Sequence, residues 1–204
     1  MLISDSLPFV RASVSRAGRC EIMRVWEFVC KWVPLQGRRL NPEDWRFKAE
    51  AAKHLSETIE GISSPTSISA KWGKQFDNPP EWVPLLLEKE DILRDIQRRV
   101  EQDHPKYQLI PEKQELISVW DFACKWVPLQ GRRLNPGDWG FKAEAAKHLS
   151  ETIGGISSPT SISAKWSKDF SKTPRWVPLL LNKEDALRDI CQRVRNSGTP
   201  SSTP

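Results

Sequence analysis

A single tyrosine, two methionines, three histidines and four cysteines are all that this 204-residue chain holds of those types. Four thiols without a secretory signal do not make a disulfide framework and suit a reducing compartment. No stretch reaches the about 18 to 20 apolar residues of a membrane helix, so no membrane partner is expected. The expected location is intracellular, cytoplasmic or nucleoid/nuclear. Period-two alternation is missing over any useful length, which excludes a sheet protein. A phosphate loop, a dinucleotide fingerprint and a Gly-x-Ser-x-Gly elbow are missing too, and no enzyme activity, cofactor or metal is expected.

What is abundant is tryptophan, ten residues in two blocks. Trp26, Trp32, Trp45, Trp72 and Trp82 recur 94 positions later as Trp120, Trp126, Trp139, Trp166 and Trp176. Aligning 21–100 with 115–194 needs no gap and leaves about 60 of 80 positions identical, so the chain is a tandem duplication. Two copies are too few for a solenoid, and each has apolar residues enough for its own core. The boundaries follow: a disordered N-terminus at 1–20, a helical repeat at 21–100, a linker at 101–114, a second repeat at 115–194 and a disordered tail at 195–204. Arg11, Arg16 and Arg19 give the first segment a faint likeness to a transit peptide. The copies differ at polar sites, Arg24/Ser118, Glu43/Gly137, Arg46/Gly140, Glu60/Gly154 and 77–81 against 171–175, which reads as surface.

The net charge of +5 invites a nucleic-acid partner, but it is unevenly placed. Residues 21–100 sum to zero and 115–194 to +3, which disfavours a uniformly basic coat protein.

Within one copy, Ile22, Val25, Trp26, Val29, Trp32 and Val33 fall at helical spacing, and Pro34 should end that helix. Asn41-Pro42-Glu43-Asp44 has the chemistry of a helix start, and the stripe after it runs Trp45, Ala49, Ala52, Leu55 and Ile59 toward a stop at Gly61. Ser64-Pro65-Thr66 starts a third helix that buries Ile68, Trp72 and Phe76. A fourth spans Glu88 to Val100, with Leu93, Ile96 and Val100 inward and Lys89, Glu90, Arg94 and Asp95 outward. The fold class is therefore all-α: two tandem, near-identical four-helix domains joined by a short linker. Trp26, Trp45 and Trp72, with Trp120, Trp139 and Trp166, are the expected cores. Trp-Val-Pro-Leu recurs at 32, 82, 126 and 176, with its tryptophan packed beside the helix break or, in the alternative, shown to a partner.

Cys30 with His54 and Cys124 with His148 could form a zinc site only if the copies met, and they lack the close ligand pairs such sites show. The run Phe47 to Phe76, a helix, a Gly61-Ile62-Ser63 turn and a second polar-started helix, resembles a helix-turn-helix unit, once in each copy. That resemblance implies a helix from Ser64 or Thr66 in the major groove, with Ser64, Thr66, Ser67, Lys71 and Lys74 as contacts and Arg38 and Arg39 on phosphates. The second copy supplies Ser158, Thr160, Ser161, Lys165, Lys168, Arg132 and Arg133. Duplex DNA is the implied partner of this non-catalytic binding module. The rival reading is a protein-interaction adaptor of two Trp-rich bundles, with duplication supplying avidity.

Overall fold

The computed structural model describes residues 23–35, 40–103, 115–129, 134–167 and 169–197. They form eight α-helices, four from each copy, and no strand among the described residues. The first copy holds α1 (Val25–Trp32), α2 (Phe47–Thr58), α3 (Pro65–Lys71) and α4 (Trp82–Asp103). The second repeats them as α5 (Val119–Trp126), α6 (Phe141–Thr152), α7 (Pro159–Lys165) and α8 (Trp176–Ser197).

The helix ends follow local chemistry. Pro34 and Pro128 sit inside one-turn 3-10 segments, Val33–Leu35 and Val127–Leu129, that close α1 and α5. Ser64 caps α3: its side chain accepts from the Ser67 backbone N–H, and Pro65 fills the first turn. At the end of α2 the Gly61 N–H bonds Ser56 O at 2.8 Å and the Glu60 N–H bonds Glu57 O at 3.0 Å, a Schellman closure. Its left-handed position is Glu60 at φ 51° in the first copy and Gly154 at φ 68° in the second.

Four expectations are corrected. Asn41 does not start a helix. Asp44 closes a turn on it, the Asn41 N–H donating to the Asp44 carboxylate at 2.8 Å, and α2 begins only at Phe47. The buried stripe of α2 is therefore Phe47, Ala51, Ala52, Leu55 and Ile59, and Trp45 and Trp139 lie outside the cores, 85% and 99% exposed. The fourth helix starts at Trp82 rather than Glu88, because Pro84 falls in the first turn, where a missing N–H costs nothing. Glu90 is buried, and Lys89 and Arg94 are half-buried, so that polar face is not a solvated one.

The other four expected core tryptophans hold their places: Trp72 and Trp166 are 4% exposed, and Trp26 and Trp120 are half-buried against the core. Of the Trp-Val-Pro-Leu tryptophans, Trp32, Trp82 and Trp126 are buried and Trp176 half-buried, as packing beside a helix break requires.

The two copies meet along α4 and α8. Trp82 stacks on Trp176, centroids 6.0 Å apart and planes 5° from parallel. Lys89 pairs with Glu184, and Lys183 pairs with Glu90 at 2.9 Å. Equivalent residues thus face each other in exchanged pairs, the pattern of a two-fold isologous interface built within one chain. A single buried apolar cluster draws residues from both copies.

Candidate functional site

Beneath the interface each copy carries the same polar framework. The Trp32 indole N–H donates to Asp91 at 2.6 Å, and Lys31 bridges Asp91 at 2.8 Å and Asp95 at 2.6 Å. Arg94 donates to Glu90 at 2.6 Å and lies 3.0 Å from Nε2 of His54. A guanidinium has only donors, so His54 Nε2 accepts, and the ring stacks on Phe28. Burial and then the Arg94 charge lower the His54 pKa to about 4, and burial with Arg188 does the same to His148. Burial pushes the Glu90 carboxyl upward, but Lys183 and Arg94 outweigh it and hold the group below its ordinary value.

These groups satisfy one another except at Nδ1 of His54, which is buried without a hydrogen-bond partner. His148, Lys89, Glu184 and Arg188 also line a cleft of about 410 Å³ between the copies, yet each already holds a charged or hydrogen-bonding neighbour there. No cluster of three or more histidine, cysteine or acidic residues able to hold a metal occurs among the described residues. Cys30, Cys124 and Cys191 are free thiols.

The sequence-derived DNA contacts separate into three groups. Arg38, Arg39, Arg132, Arg133 and Lys168 lie outside the described residues. Ser64 and Ser158 spend their hydroxyls on capping and on Thr66 and Thr160, at 3.1 and 3.0 Å, while Ser67 and Ser161 are half-buried. Lys71 and Lys165 end α3 and α7 exposed, and Lys74 is exposed in the turn that follows. Helices α2 and α3 do pack together, as do α6 and α7.

Two features escape a reading of periodicity. The first is the exposed tryptophan pair. The turn Asn41–Asp44, repeated with its Asn135 to Asp138 bond at 2.6 Å, lifts Trp45 and Trp139 off the helices that follow. The Arg46 guanidinium lies 4.8 Å from the Trp45 ring centroid, whereas Gly140 follows Trp139. The second is a groove of about 840 Å³ between α1, the segment before α4 and the turn after α6. No protein-family model matches this chain, and neither a curated protein nor a solved structure matches it.

Proposed function

We propose that this chain is a non-catalytic binding module, an adaptor that holds a protein partner through Trp45 and Trp139. The observation that carries the reading is their exposure, 85% and 99%, at equivalent places in two copies whose remaining described tryptophans are all buried or half-buried. A tryptophan held in water by a braced turn offers a large, stiff apolar surface with one N–H donor, the residue type that dominates interface energetics. Two such anchors on one body give avidity to a partner that reaches both. Free thiols suit such a module in a reducing compartment.

The test is affinity capture of partners on wild-type protein and on the double variant Trp45→Ala, Trp139→Ala, with the captured species then titrated in purified form. A partner bound by wild type and weakened at least about tenfold by the double variant, but only partly by each single one, supports the reading. Equal binding by all variants overturns it.

Duplex DNA is the second reading, favoured by the exposed Lys71, Lys74 and Lys165 beside the Ser-capped helices. Titration at two salt concentrations separates the two. If DNA is the partner, removing one phosphate-contacting lysine lowers the salt slope of log K by about 0.9, and Trp45→Ala leaves it unchanged.

A further inference from the structure

The groove between the copies is lined by half-buried Met23, Trp26, Pro79, Pro84, Leu85 and Ile156. Its rim carries exposed Glu27, Asp77 and Glu81 against the single cation Arg24. Apolar walls and an acidic rim together select an occupant that is apolar in the middle and cationic beside it.

The duplication supplies an independent argument. Eight of the sixteen lining positions differ between the copies, against ten of the other sixty-four aligned positions. Divergence is thus concentrated where the groove lies. One of those differences opens it. Gly154 lies beside Leu85, where an added Cβ would come within 3.3 Å of Leu85 Cδ2. The equivalent of Gly154 in the first copy is Glu60, and the equivalent of Leu85 in the second is Leu179, 1% exposed where Leu85 is half-buried. The second copy's counterpart rim is also of mixed sign, with Asp121, Asp169 and Arg175.

We propose that this groove binds an extended peptide segment of a partner protein, an apolar stretch flanked by lysine or arginine. The proposal rests on the protein-binding reading above and adds a second site to it, distinct from the exposed tryptophans.

The experiment selects random twelve-residue displayed peptides on the full-length wild-type chain, then measures the enriched peptides on three variants. Gly154→Glu places in the groove the residue that the first copy already accommodates at φ 51°. Asp77→Asn with Glu81→Gln neutralises the rim, and Trp45→Ala with Trp139→Ala removes the other site. Expected are peptides that join aromatic or aliphatic residues to lysine or arginine. They should weaken about tenfold or more on Gly154→Glu, weaken several-fold with a flatter salt dependence on the neutralised rim, and keep their affinity on the tryptophan variant.

Peptides that bind Gly154→Glu as well as wild type overturn the proposal. Peptides lost only on the tryptophan variant overturn it while leaving the protein-binding reading standing, and a selection that enriches nothing counts against both. Self-association of the wild type that Gly154→Glu abolishes would make a second copy the occupant and overturn it too. Should Gly154→Glu lose its helical circular dichroism, Met23→Lys at the groove margin takes its place with the same expected loss.

Discussion

The two copies agree most closely where they are buried. Trp32 to Asp91 and Trp126 to Asp185 are both 2.6 Å, Arg94 to Glu90 and Arg188 to Glu184 are both 2.6 Å, and Phe28 and Phe122 are both fully buried. They part at the turn before α2, where Arg46 faces Gly140, at the turn after it, where Glu60 faces Gly154, and around the groove. Duplicated chains begin with equal freedom at every position. What has stayed fixed here is the set of groups that pay a desolvation penalty if a neighbour is lost. What has changed lies mostly where the neighbour is water or the groove, with the buried pair Val29/Ala123 as the exception.

The strongest way to test the equality of the cores is to hollow each one. Phe28→Ala and Phe122→Ala should each cost about 3 to 5 kcal/mol, because both rings are fully buried and the cavity cannot close around them. Since one apolar cluster spans both copies, chemical denaturation of either variant should remain a single transition. Two separated transitions would show that the copies unfold independently.

Acid offers a second equality. The folded pKa of His54 and of His148, about 4, lies below the ordinary histidine value near 6.5. Between these values the unfolded chain binds more protons, so stability is complete above about pH 6.5 and falls as the pH drops toward 4. The loss is up to about 3 kcal/mol per histidine. Glu90 and Glu184, held low in the folded protein, add a further loss as pH falls below the ordinary carboxylate range. His54→Gln with His148→Gln should flatten the melting temperature between pH 6.5 and 4 and leave the steeper fall below it. An unchanged profile would mean that neither histidine is held neutral by burial and arginine.

Much of this arrangement was legible in the residues, and the failures have causes. The gapless repeat and the Ser64-Pro65 cap place four helices per copy, because caps and prolines act locally. Periodicity places Trp45 wrongly because Trp45, Ala49 and Ala52, stepping by four and three, and the true stripe Phe47, Ala51 and Leu55, stepping by four and four, both fit a helix, and only the Asn41–Asp44 turn decides between them. That turn depends on a side-chain bond that periodicity cannot register. Lys89 and Glu90 read as a solvated face because their partners, Glu184 and Lys183, lie 95 and 93 residues away in the other copy. Nor could the groove be read from one copy, since Leu85 and Gly154 belong to different ones.

The Schellman turns sharpen the comparison at smaller scale. Glu60 at φ 51° occupies a position that suits glycine, and the second copy has glycine there. Glu60→Gly should therefore stabilise the protein by about 1 kcal/mol, and Gly154→Glu should cost a similar amount while still folding. Thermal melts of the two single variants measure both. Shifts of the same sign would show that contacts around the turn outweigh its backbone conformation.

The smallest stability effect belongs to the residues with the largest proposed role. Trp45→Ala and Trp139→Ala remove side chains that are 85% and 99% exposed, so each should alter stability by less than about 0.5 kcal/mol. Trp45 has the Arg46 guanidinium 4.8 Å from its ring centroid, a solvent-exposed cation–π contact at the low end of such contacts, about 0.5 kcal/mol, and Trp139 has glycine in that place. Any difference between the two variants should thus fall on Trp45. Tryptophan emission gives a second measure: both rings should be reached by a neutral quencher such as acrylamide, and the double variant should lose that accessible fraction while its melting midpoint hardly moves. A drop of several degrees would place the rings in packing contacts and remove them as free anchors. An unchanged midpoint leaves two tryptophans that the fold does not need for stability, displayed at the same place in both copies.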